Sequence, residues 1–377
     1  MSRAVSYLLV VAFVLQFTLV GLPAPVAEFV SRTIGKVGVI TAAAATLPPS
    51  FAGTTNNASA LRWAGKSHLF TMSDGARVVI YGDQIPWVSG YRILPPGGSW
   101  GSYVALVAPT NQNGTAWVQV GDTIFGASTE DSAPIQLIKL TYSGGAITQS
   151  HGPGFRPGGN GINRVNGIYW DATNSYLHVV YHVATLAVVW LDAYDTNFVN
   201  HMSVDVLAYG MVNGHTTSLA GGGGGSFFMT GWDLTGGTGT GQVTAVTASA
   251  SAYMLTPETS VSALPPGSGG ALNTMWDGSN LIFAAGVSVA GSSSLQTMTR
   301  NSANSYSGWQ TLVADGVGFG QPAFVRKGTG PSSDLAVLFV GSVDPTTLHG
   351  GIVWSLQRIA GSWFGPIAMA GGDASTV

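Results

Sequence analysis

Three Trp-Asp pairs carry the clearest chemistry in the chain: Trp170-Asp171, Trp232-Asp233 and Trp276-Asp277. A sugar presents a flat apolar face of C–H groups edged by hydroxyls. A site for it needs an aromatic platform beside a short polar side chain. Each pair offers both, so these six residues are the expected ligand-binding positions, with a glycan or a surface receptor as the partner. The competing use of such tryptophans is to plug the core between neighbouring sheets.

Other patterns are less informative. Gly97-Gly-Ser99-Trp-Gly101 has the spacing of a nucleophile elbow, but Pro95-Pro96 precede it and the strand-like Tyr103-Val-Ala-Leu-Val follows, where an elbow needs a strand and then a helix. The run Gly221 to Gly225 continues into Ser226-Phe-Phe and so lacks the Gly-Lys-Ser/Thr ending of a phosphate loop. His178 and His182 lie in Leu-His-Val-Val-Tyr-His-Val, which reads as strand; four strand residues span about 13 Å, too far for one ion. They are expected on one face, lining a surface or groove. Asp192, Asp195 and Asn197 lack the glycine and terminal glutamate of a calcium loop and read as a capped turn. No catalytic residue, metal ligand or cofactor is assigned.

These residues sit on a repeat. Asp74, Asp122, Asp171, Asp277 and Asp334 each fall between two short apolar runs, and the glycine run fills the one gap, at intervals of roughly fifty residues. The runs are rich in Val, Ile, Phe, Tyr and Thr and end in Gly, Asn or Asp, so the chain is read as all-β, a propeller of six four-stranded blades. The last third shows one blade: Gln321-Pro-Ala-Phe-Val-Arg, Leu335 to Gly341, Gly351-Ile-Val-Trp-Ser-Leu-Gln and Trp363-Phe-Gly-Pro-Ile-Ala. Gly308-Trp309 and Ser362-Trp363 open matching outer strands.

That rhythm of Pro-Ala-x-Val, turn, apolar strand, third strand and Gly-x-Trp resembles the blades of six-bladed β-propeller lectins and of sialidase-like propellers over roughly residues 55 to 377. A sialidase would add repeated Asp-boxes, and only the fragment Ser73-Asp-Gly is present. It would also need a tyrosine nucleophile with a glutamate partner. Only Glu130 and Glu258 lie in the blade region, both in Ser and Pro contexts that read as loops. The resemblance implies a fold and a ligand class, with turnover as an alternative: a glycosidase or lyase using carboxylates across the propeller funnel.

From Arg3 to Glu28 there is no charge, and Ala4 to Val20 is apolar. A secretory signal peptide, a membrane anchor and an arm packed inside a larger particle all fit this stretch, and Pro23 and Pro25 spoil a cleavage site. Residues 1 to 50 are therefore expected to be an apolar arm and linker, joining a protein assembly or a membrane, and residues 51 to 377 the propeller. Charged residues make up 8% of the chain and the net charge is −3. Nucleic acid, which needs clustered Lys and Arg, is excluded as a partner. A surface covered by Ser, Thr, Asn, Gln and Gly suits an extracellular, cell-surface or virion location. With no cysteine, stability must come from burial and ladder hydrogen bonds. Two functions are thus open beside turnover: recognition of a glycan or receptor, and a purely structural virion or surface-layer role.

Overall fold

The computed structural model describes residues 69–82, 89–106, 111–129, 134–154, 163–183, 188–206, 218–233, 240–258, 272–289, 292–315, 322–326, 335–341, 352–359 and 362–371. The chain divides into two units, Met1–Ser50 and Phe51–Val377, and every described residue belongs to the second. The apolar arm and Asp334 lie outside the described residues.

Six four-stranded antiparallel sheets follow one another along the chain. Blade 1 is β1 (Leu69–Thr71), β2 (Arg77–Gly82), β3 (Ser89–Leu94) and β4 (Val104–Ala105). Blade 2 is β5 (Asn111–Val120), β6 (Thr123–Thr129), β7 (Gln136–Ser143) and β8 (Ala146–His151). Blade 3 is β9 (Asn163–Asp171), β10 (Tyr176–Val183), β11 (Val188–Tyr194) and β12 (Asn200–Asp205). Blade 4 is β13 (Ser218–Gly223), β14 (Ser226–Asp233), β15 (Thr240–Ala248) and β16 (Tyr253–Glu258). Blade 5 is β17 (Leu272–Trp276), β18 (Leu281–Val289), β19 (Ser292–Arg300) and β20 (Gln310–Asp315). Blade 6 is β21 (Ala323–Arg326), β22 (Leu335–Gly341), β23 (Ile352–Ile359) and β24 (Ser362–Gly371). The first strands of successive blades lie side by side, β5 on β9, β9 on β13, β13 on β17 and β17 on β21. This is the β-propeller arrangement expected from the repeat.

Every recurring Asp or Gly turn within the described residues joins the first and second strands of a blade. In blade 1 the Asp74 carboxylate accepts the Ala76 amide at 2.9 Å. In blade 3 Asp171 accepts the Thr173 amide at 2.9 Å, and in blade 5 Asp277 accepts the amides of Ser279 and Asn280 at 2.9 and 2.6 Å. These are Asx-turns, in which a short side chain caps its own reversal. Blade 4 solves the same problem differently. Gly224 and Gly225 have φ of 63° and 78°, the two positive values that a two-residue type I′ hairpin requires.

The core lies between blades. Because side chains alternate across a strand, Leu281 and Phe283 of β18 pack with Ala220 and Val243 of blade 4. Ile282 and Ala284 of the same strand pack with Phe324, Val337 and Leu356 of blade 6. In β10, Val179, Tyr181 and Val183 face blade 2, and Val180 faces Phe227 and Met229 of blade 4. Middle strands therefore need apolar residues on both faces, which is why their sequences run without polar alternation. The outer strands β8 and β16 alternate between exposed and half-buried positions.

Candidate functional site

The first hairpins of blades 1, 3 and 5 reach the next blade, and the seam between blades 4 and 5 opens into a groove of 620 Å³. Trp276, the last residue of β17, pairs with Leu281 just before the Asp277 turn. Its ring packs 5.3 Å from Phe228 of β14. Arg300 closes β19 opposite Leu281, so it stands at the same end, and its guanidinium lies 4.6 Å over the Phe228 ring. Two aromatic rings, tilted 31° to each other, and a guanidinium over one of them thus form one contiguous wall.

Glu258 supplies the opposing charge. Its carboxylate accepts Arg300 Nε at 2.8 Å and also Arg300 Nη2, and it accepts the Tyr306 hydroxyl at 2.5 Å. Arg300 Nη2 further donates to Asn304 Oδ1 at 2.5 Å, and Nη1 to the Asn301 carbonyl at 3.5 Å. The connection that carries these groups is well braced: Asn301 Oδ1 accepts the amides of Ala303 and Ser305, and Tyr306 forms a bridge back to Arg300. The ion-paired side chains are only 5% and 10% exposed, so water screens the pair weakly. Burial alone would lower the Arg300 pKa, but Glu258 outweighs it and holds the guanidinium above its ordinary value.

A tyrosine on a glutamate is also the pairing that a sialidase-like mechanism asks for. The electrostatics run against it. Burial and the Glu258 acceptor push the Tyr306 hydroxyl well above its ordinary pKa, whereas a nucleophile is activated by a lowered one. Glu258 is itself already engaged, by the Arg300 fork and the Tyr306 hydroxyl. The cluster can bind and orient hydroxyl groups against a ring face.

No protein-family model matches the chain, and no curated protein matches it in sequence. Solved structures similar to it are propellers. A mutant Aleuria aurantia lectin in complex with α-methyl-L-fucoside is 12% identical, with a TM-score of 0.48 over 82% of this chain and 96% of that one. AofleA from Arthrobotrys oligospora is 9% identical at a TM-score of 0.48, over 81% and 86%. The α-L-arabinofuranosidase Arb93A from Fusarium graminearum is 11% identical at 0.45, over 76% and 90%. At these values no residue correspondence follows.

Of the six residues singled out in the sequence, Trp276 lines the groove. Asp277 beside it turns away to the next seam and accepts Arg358 Nη1 of β23. Burial would raise its pKa, but Arg358 and the turn amides hold it below the ordinary carboxylate range. Trp170 occupies the equivalent place in blade 3, stacked at 6.4 Å and 7° on Phe125 of blade 2. Asp171 is 1% exposed and is engaged by Asn174 Nδ2 at 2.7 Å, so it is a turn cap facing the seam. Trp232 and Asp233 do not share that position: they end β14, at the far end of the blade from its first hairpin. Their spacing suggested equivalence, but the hairpin of blade 4 is the glycine turn, several residues earlier.

Three further readings change. Glu258 is not in a loop; it ends β16 and pairs with Val243. His178 does not line a surface, being fully buried between blades 3 and 4. Asp192 is buried as well, accepting the hydroxyls of Tyr181 and Tyr194 at 2.7 and 2.8 Å, while Asp195 caps the turn as expected by accepting the amides of Asn197 and Val199. Glu258, Arg300 and Tyr306 were missed as a set. No local pattern links them, since Arg300 and Tyr306 lie 42 and 48 residues from Glu258, in the next blade.

Proposed function

We propose that this chain is a non-enzymatic, carbohydrate-binding recognition propeller displayed outside the cytoplasm, on a cell surface or a virion, with its glycan site in the groove between blades 4 and 5. The observation that carries this reading is the wall of Trp276, Phe228 and Arg300 set against Glu258 and Asn304. The rings offer the apolar platform a pyranose face stacks on, and the carboxylate, amide and hydroxyl groups at its edge offer partners to sugar hydroxyls. The low charge of the chain and its apolar stretch from Ala4 to Ala27 support display with residues 1 to 50 attached to a protein assembly or a membrane.

The test is glycan-array binding by the full chain and by Trp276→Ala, with circular dichroism to confirm that the sheets persist. At least one glycan is expected to bind, and the variant to bind it about tenfold or more weakly, a loss of about 1.4 kcal/mol or more. A glycan bound equally well by both proteins would place recognition elsewhere on the molecule. Protease accessibility on intact cells or particles checks the location: a protected propeller would refute surface display.

A further inference from the structure

Resting on the carbohydrate reading above, we propose that Glu258 makes the groove selective for neutral sugars by rejecting those that carry a carboxylate. Among the described residues that line the groove, Arg300 is the one basic side chain and Glu258 the one acidic side chain, so the formal charges cancel. An acidic sugar is ordinarily held by an arginine that presents two parallel N–H groups to its carboxylate. Here that edge is taken. Nε and Nη2 of Arg300 are spent on the two oxygens of Glu258, a second Nη2 bond goes to Asn304, and Nη1 meets the Asn301 carbonyl.

An incoming carboxylate would therefore lie beside the Glu258 carboxylate, in a pair that water screens only weakly. Like charges at that range disfavour each other strongly, and no fork is left to offset the loss of water. Tyr306 cannot compensate, since its hydroxyl already donates to Glu258. A neutral sugar has no such penalty. Its hydroxyls can donate to Glu258 and Asn304 while its face lies on Trp276. Glu258 thus combines two roles, neutralising Arg300 and excluding anions, and the second is a property of this one residue.

The test measures binding of the full-length chain to matched glycans that differ only in a carboxylate at C6 of the terminal sugar: glucose-terminated against glucuronate-terminated, and galactose-terminated against galacturonate-terminated. Wild type should favour the neutral member of each pair by about tenfold or more. Glu258→Gln keeps the size and one acceptor but frees the charge of Arg300, and should shift that ratio toward the acidic member by about tenfold or more. Because this substitution breaks a mostly buried ion pair, Ser302→Lys serves as the second variant. Ser302 is exposed at the groove, and an added cation there leaves the pair intact and should move the ratio the same way. A wild type that prefers acidic glycans, with that binding lost in Trp276→Ala, overturns the selectivity and leaves the site standing. A ratio unchanged in folded Glu258→Gln also overturns it, as does, where that variant fails to fold, a ratio unchanged in Ser302→Lys. Neutral binding undiminished in Trp276→Ala removes the site, and the selectivity with it, as does a chain that binds no member of either pair.

Discussion

His178 should make the propeller lose stability as the pH falls from neutrality, well before most carboxylates titrate. Its ring is enclosed at the seam of blades 3 and 4, 4.6 Å from Phe227, 5.5 Å from Tyr253, 6.2 Å from Tyr169 and 6.4 Å from Tyr176. Nδ1 shares a 2.9 Å hydrogen bond with the Tyr253 hydroxyl, and Nε2 lies 3.6 Å from the Asp171 carboxylate. Burial lowers the His178 pKa from 6.5 to about 4, with Asp171 opposing part of that fall. Between those two values the unfolded chain binds a proton that the folded chain refuses, so folding stability rises with pH across the window and is lost as pH falls through it. The gap corresponds to about 3 kcal/mol, fully present above 6.5 and exhausted below about 4. Urea denaturation of wild type and His178→Gln across that window measures it, because the difference between the two profiles cancels the carboxylates they share. Asp171→Asn should steepen the wild-type loss, since the opposing charge is gone. Parallel stability profiles for wild type and His178→Gln would refute the reasoning.

Other perturbations test the seams and the boundary. Arg300→Ala or Glu258→Ala strands a charge in a pair whose side chains are 5% and 10% exposed, and each should cost about 3 to 5 kcal/mol in chemical denaturation, whereas replacing both by Met should cost far less. Gly126→Ala would bring a methyl 2.1 Å from the Trp117 ring; with Trp117 itself 4% exposed, a loss of about 1 to 3 kcal/mol is expected, read as a lower melting temperature. A chain beginning at Phe51 should stay soluble and fold cooperatively while losing attachment to membrane or particle, since the blades carry their own repeated core; an unfolded product would move the boundary, and unchanged attachment would remove the role of the arm.

The sequence alone determined the class of the fold and the number of blades, because both rest on local physics. An Asx-turn closes through a side chain and an amide two residues on, as Asp74 does to Ala76, and a two-residue glycine hairpin needs no partner beyond itself. Repetition of such turns at blade length, with apolar runs between them, leaves few architectures that bury both faces of every middle strand. The site was decided only in the tertiary structure. Glu258 and Arg300 are 42 residues apart, His178 and Tyr253 75 apart, and nothing local in either segment records the other. Trp276 shows the division within a single pair of residues: its position before a turn was legible, but whether its ring would meet a groove or a core depended on Phe228 and Arg300 arriving from two other strands. Asp277 beside it, identical in local pattern to Asp171, was drawn to Arg358 of the following blade, while Asp171 was sealed against Asn174 and His178. Turn chemistry fixes where a side chain starts, and the neighbouring blade, packed against it at one repeat's remove, fixes what that side chain touches.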